Sequence, residues 1–133
     1  MIIKLKLFFI LLLIKKTIME YKMALIIRSD IKMSKGKIAA QIGHAMVDAT
    51  VKAYINPTVF FKWRTNGETI IALKADKKTL DSIIQTAERK GVNCGTVCDA
   101  GKTEVCPGTI TVGFVGPAST AEINKLVGQL KLL

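Results

Sequence analysis

Between Ser34 and Met46 the chain reads SKGKIAAQIGHAM, a helix opening whose polar residues fall in one line. At 100° per residue, Lys37, Gln41, His44 and Asp48 lie within about 60° of one another. An amine, an amide, an imidazole and a carboxylate therefore share one face. Ser34 is a natural N-cap ahead of them. Lys35 and Lys37, at the first and third helical positions, oppose the helix dipole at about a few tenths of a kcal/mol each. Local rules are most often broken at functional sites, and two ammonium groups beside the N–H groups of a helix start suit an anion, phosphate above all. Ile38, Ile42, Ala45 and Ala49 form an apolar stripe alongside, and Ala39, Ala40, Gly43 and Val47 fill much of the remaining surface. The pattern predicts a closely packed, mostly buried helix that shows water one narrow polar line.

Other chemistries fit less well. No G-x-S-x-G occurs, and the only histidine, His44, sits on a helix rather than near a nucleophile elbow. Cys94, Cys98 and Cys106 are an odd, loosely spaced set. With His44 they make four nominal zinc ligands, but Cys94 and Cys98 lie in an apparent strand, about 13 Å apart. Zinc–sulfur bonds are about 2.3 Å long, so the expectation is no metal and reduced thiols in a cytoplasmic protein.

A length of 133 residues, half of them apolar, predicts one domain with its own core. The formal net charge is +10, and the first eighteen residues hold four lysines and no acid, which leaves +6 for the rest. Such a surplus favours polyanions, nucleic acid first. Residues 1–18 contain an apolar run, Leu7–Ile14, between Lys4, Lys6, Lys15 and Lys16. Eight residues are too few to span a bilayer, which takes about 20, and no small-residue cleavage site follows. This segment reads as an appendage outside the fold: a short membrane anchor, or residues ahead of the true start. Residues 19–133 read as the domain.

Within the domain, KMALIIR (22–28) is a strand, and Ser34 opens a helix running to about Tyr54. Asn56 caps a second helix with Pro57 in its first turn and Asn66-Gly67 as its stop. TIIALKA (69–75) is nearly continuous in apolar residues, a strand buried on both faces. A helix follows between Asp76 and Gly91, then the strand CGTVCDA and the polar loop GKTEVCPG. TITVGFVG alternates, with Ile110, Val112 and Phe114 on one face; Pro117 ends it, and STAEINKLVGQL is the last helix. Strands alternating with helices predict a three-layer α/β/α sandwich around a mixed sheet of about four strands. Sites in such sheets lie beyond the carboxyl ends of parallel strands, where Ser29-Asp30 and Asp99 stand.

The segments MALIIRSDIKMSKGKIAAQIGHA, WRTNGETIIALK, DAGKTEVCPGTITVGFVGP and the terminal LKLL together resemble peptidyl-tRNA hydrolases of the second, archaeal and eukaryotic type, from about residue 22 to 133. The resemblance implies hydrolysis of the ester joining a stalled peptide to tRNA, which recycles the tRNA. It also implies an α/β/α fold, frequent pairing as homodimers, and no organic cofactor. The functional lysine, aspartate and threonine of that family fall on Lys37, Asp99 and Thr103. Gln41 and His44 match motif positions and, with Lys35 and Lys102, are candidates for substrate binding. The family commonly has arginine where Lys102 stands, so the charge is kept but the two-pronged fork is lost.

Ester hydrolysis needs an activated nucleophile, a stabilised oxyanion and a protonated leaving group. Asp99 can orient or deprotonate water, Lys37 can stabilise the oxyanion or the departing ribose oxygen, and Thr103 can hold the water or the ester carbonyl. The alternative is a non-catalytic adaptor on the same fold that binds RNA or protein, which would have no need of these three residues together. Membrane contact through residues 1–18 is the less favoured third reading.

Overall fold

The run YKMALIIR becomes a central strand because helices cover both of its faces. The computed structural model describes residues 1–17 (12–17 as backbone alone), 20–100 and 108–133. In chain order these form α1 (Ile2–Thr17), β1 (Tyr21–Arg28), α2 (Lys35–Ala53), α3 (Pro57–Thr65), β2 (Ile70–Ala75), α4 (Lys77–Arg89), β3 (Cys94–Cys98), β4 (Ile110–Ser119), α5 (Thr120–Val127) and β5 (Lys131–Leu132). The sheet order is β3-β4-β1-β2-β5. β1 and β2 are parallel, whereas β4 is antiparallel to both β1 and β3, so β1, β2 and β3 share one direction.

Side chains alternate along β1 as pleating requires. Tyr21, Met23, Leu25 and Ile27 enter one core with Ala45, Ala49, Phe60, Trp63 and Phe114, beneath α2 and α3. Ala24 and Ile26 enter the other with Leu80, Ile83, Ile84, Ile123 and Val127, beneath α4 and α5. This is the expected three-layer sandwich with one strand more than expected. β5 comes from LKLL, and its two residues pair antiparallel with Leu73 and Lys74.

Three local expectations need correction. β4 does not stop at Pro117 but runs on to Ser119. The pairing with β1 shifts register between Lys22 and Ala24, so Pro117 has no opposite residue and its missing N–H breaks no ladder. β2 is not buried on both faces: Ile70 is 43% exposed and Lys74 is exposed too, near the edge of the sheet, where the two-residue β5 is the last strand. Asn56 makes no side-chain cap, although Pro57 does occupy the first turn. The caps at Ser34, Asp76 and Ser119 each accept an N–H three residues on.

α1 is a helix whose residues 1–11 are all exposed, Phe8 and Phe9 included. Among the described residues, no helix is long and apolar enough to cross a membrane.

At the carboxyl end of β1, Arg28 forms a latch. Its Nε and Nη2 each donate to an Asp30 carboxylate oxygen at 2.8 Å, and its Nη1 donates to the Ile110 carbonyl at 3.1 Å. Asp30 also accepts the Lys77 backbone N–H at 3.3 Å. One guanidinium thus joins the end of β1 to the start of β4, and the carboxylate extends the tie to the start of α4. The hydrogen bond from Arg28 holds the Asp30 carboxyl below its ordinary value, at about 2. A depressed carboxyl stabilises the fold above its unfolded pKa, and that contribution is lost as pH falls from about 4 towards 2. The melting temperature of Asp30→Asn should therefore lie below wild type at pH 7, with the gap closing as pH falls through that window. A gap that is constant down to pH 2 would mean the carboxylate charge plays no part.

Candidate active site

Two buried charges that lie sixty-two residues apart in the sequence meet at the candidate site. Lys37 reaches from the first turn of α2, where its backbone N–H binds the Ser34 hydroxyl at 3.2 Å. Asp99 follows the last residue of β3. Its backbone N–H donates to Thr109 at 2.8 Å and its carbonyl accepts from Gly108 at 3.1 Å, which closes the base of the loop between β3 and β4. The Lys37 ammonium donates to the Asp99 carboxylate in a buried ion pair, with Lys37 8% and Asp99 4% exposed. The charge at this helix start is thus balanced by Asp99.

The pair lies in the wall of a cavity of about 860 Å³ between α2 and β3, which Gln41, His44, Asp48 and Thr96 also line. The polar line read on α2 does face one cavity. Its burial differs from the expectation: Lys37 and Gln41 are buried, in step with Ala45, Ala49 and Ala53, while Ala39, Ala40, Gly43 and Val47 face solvent. The stripe at four-residue spacing is the fully buried one, with Ile38, Ile42 and Met46 half-buried beside it, and small apolar side chains are tolerated in water. Of the expected site residues, the structure brings together Lys37, Asp99, Gln41 and His44, the last on the exposed rim. Lys35 is exposed beside them at the helix start. Thr103 and Lys102, like Cys106, lie outside the described residues. Cys94 is buried, which pushes its thiol pKa up, and Cys98 is exposed. Among the described residues, no three His, Cys, Asp or Glu cluster to hold a metal.

Sequence reasoning missed Thr111. It is fully buried, and its hydroxyl donates to the Gln41 side-chain oxygen at 2.6 Å, with the Val97 carbonyl at 3.3 Å. The β3–β4 register runs from Val97↔Val112 to Cys98↔Ile110, so Thr111 is the extra residue of a bulge. Bulges re-aim side chains, and this one turns a threonine towards α2. A polar residue within an otherwise apolar strand was the available signal. With its oxygen held by Thr111, Gln41 can present its amide N–H groups to the cavity.

The family model described as Peptidyl-tRNA hydrolase PTH2 matches residues 21–133. A peptidyl-tRNA hydrolase of Thermococcus sibiricus is 40% identical over 116 residues, which are 86% of this chain and 98% of that one. Peptidyl-tRNA hydrolase 2, mitochondrial, of Homo sapiens is 40% identical over 115 residues, 85% of this chain and 64% of its own. A peptidyl-tRNA hydrolase of Methanocaldococcus jannaschii is 39% identical over 114 residues, 84% of this chain and 99% of its own. A solved structure, a protein of unknown function from Agrobacterium tumefaciens, shares the fold with a TM-score of 0.53 at 14% identity, over 86% of this chain and 98% of that one.

Burial makes the pair a stability element. Removing one partner of a buried ion pair costs about 3–5 kcal/mol, so Lys37→Met should lower unfolding stability by about 3 kcal/mol. The double variant Lys37→Met with Asp99→Leu should recover part of that loss, because no buried charge is left behind. Denaturant titration of both checks this, and a double variant less stable than the single one contradicts it.

Proposed function

The chain belongs to the peptidyl-tRNA hydrolase PTH2 family, and on that premise we propose that it hydrolyses the ester between peptide and tRNA with Lys37 and Asp99 as its catalytic residues. The observation that carries these roles is their buried ion pair in the wall of the cavity, reached from two separate elements.

Water attacks the ester carbonyl carbon and its proton passes to the Asp99 carboxylate. The carbonyl oxygen becomes an oxyanion, which the Lys37 ammonium stabilises in a site poor in water, where a fixed charge acts most strongly. When the intermediate collapses, the bond to the terminal ribose oxygen breaks. That oxygen takes the proton held by Asp99, directly or relayed through Lys37, leaving a free ribose hydroxyl and a peptide carboxylic acid that loses its remaining proton to solvent. Before reaction each charge holds the other in place, so the ammonium is already aimed and needs little reorganisation. Gln41, oriented by Thr111, offers N–H groups to the carbonyl oxygen. His44 and Lys35 on the rim meet the ribose and phosphates, and Lys102 is assigned to substrate binding from the sequence alone. Thr103 is assigned to hold the water or the ester carbonyl by family resemblance.

Asp99→Asn keeps the shape but cannot accept the proton, so kcat should fall by at least about 100-fold. Filter binding of tRNA should persist within a few-fold and weaken steeply with salt, as lysines displacing counterions require. Loss of binding to the same degree as turnover would make Asp99 a structural residue.

Residues 1–18 are assigned to neither core nor site. A chain starting at Met19 should keep the melting temperature and the rate of hydrolysis, with tRNA affinity reduced modestly at low salt by the loss of four lysines. Failure of that chain to fold would place Leu7–Ile14 within the domain's core.

A further inference from the structure

We propose that the peptide part of the substrate binds along the outer edge of β3, as an added strand whose esterified carboxyl end lies at Lys37 and Asp99. This rests on the hydrolase reading above, and it locates a subsite that the catalytic pair alone does not.

β3 is the last strand on its side of the sheet. Residues alternate along it in the direction of their backbone groups. The carbonyls of Asn93 and Asp99 accept from Gly116 and Gly108, so these two residues point inward at β4. Cys94, Thr96 and Cys98, the even residues between them, therefore turn their N–H and C=O groups outward. The Lys52 ammonium donates to the Cys94 carbonyl at 3.1 Å, which closes the far end of this edge. No described residue pairs with the outer edge at Thr96 or Cys98, and an edge left open in this way is a template for another extended chain.

The space beside that edge fits a chain leading away from the site. The catalytic cavity and a second hollow of about 250 Å³ share Asp48 and Thr96, so they join end to end between α2 and β3. The hollow is floored by Gly95 and Phe114 and bounded by Val51 and Lys52. A Cβ on Gly95 would stand 2.6 Å from the Phe114 ring, so the strand is kept bare where the hollow begins.

Direction and chemistry agree. The scissile ester is at the carboxyl end of the peptide and Asp99 is at the carboxyl end of β3, so the peptide runs parallel to β3. In a parallel pair, Thr96 donates its N–H to one peptide residue and accepts from another. Peptides on tRNA differ in every side chain, and the backbone is the one feature they all offer. A strand edge reads that feature and nothing else.

The test uses the full chain and two synthetic substrates, tRNA esterified with an acetylated single amino acid or with an acetylated tripeptide. Wild type should favour the tripeptide in kcat/KM, and N-methylation of its backbone amides should raise KM about five- to tenfold, as loss of one or two hydrogen bonds implies. Thr96→Pro removes an outward donor without touching the β4 ladder, as proline on an edge strand permits. It should reduce the preference for the tripeptide by a similar factor. N-methylated substrates cleaved as well as unmodified ones overturn the proposal, as does a Thr96→Pro chain that slows equally on both substrates. Should that variant fail to fold, the N-methyl series on wild type decides alone. No hydrolysis of either substrate by wild type would remove the hydrolase reading itself.

Discussion

Burying a lysine and an aspartate is tolerable only if each finds the other. Each ion taken out of water costs several kcal/mol, and their attraction offsets this only when the geometry is held closely. Much of the architecture around Lys37 and Asp99 supplies that hold. Ser34 pins the first turn of α2. The backbone bonds of Asp99 to Thr109 and Gly108 fix the end of β3. Arg28 ties the neighbouring Ile110 carbonyl to β1. A chain that folds around such a pair holds both charged groups in place before any substrate is present, as their proposed roles require.

How far this could be read from the sequence depended on the range of the interaction. Capped helices and short apolar runs leave local signatures, and Ser34, Asp76 and the apolar run of β1 were legible for that reason. The polar line of α2 was legible as a line, but not its burial, which depends on how far the helix turns towards the sheet. The contact of Lys37 with Asp99, sixty-two residues along the chain, has no local signature at all. Family resemblance named the two residues, and the fold brought them together. Thr111 was hidden by a register shift, since a bulge breaks the period-two rule used to assign faces. β5 was too short for any periodicity to show. Arg28 and Asp30 stood in view at a strand end, yet their shared role depends on the carbonyl of Ile110, which only the sheet order brings near.

The two walls of the catalytic cavity differ in kind. α2 contributes side chains: an ammonium, an amide and an imidazole in one line. The β3 side contributes the Asp99 carboxylate just past the strand end and, on the proposal above, the outward backbone groups of Thr96 and Cys98. This division suits a substrate with a constant, charged half and a variable half. Side chains can be shaped to the constant RNA end, whereas main-chain groups accept any residue. The Lys52 ammonium over the Phe114 ring, 5.8 Å from its centroid, marks where that arrangement stops.

The sheet order also carries a kinetic consequence. β1, α2, α3, β2 and α4 form one contiguous stretch of chain around a parallel strand pair, and β3 with β4 forms a second, local antiparallel pair. The two units meet through the β1–β4 ladder, whose partners lie some ninety residues apart. Closing so long a loop carries a large entropic cost before any contact repays it. Lys37 belongs to the first unit and Asp99 to the second, so their ion pair spans the seam. This ion pair, and with it the proposed catalytic competence, should be among the last features the chain acquires as it folds, and the first it loses when the seam opens.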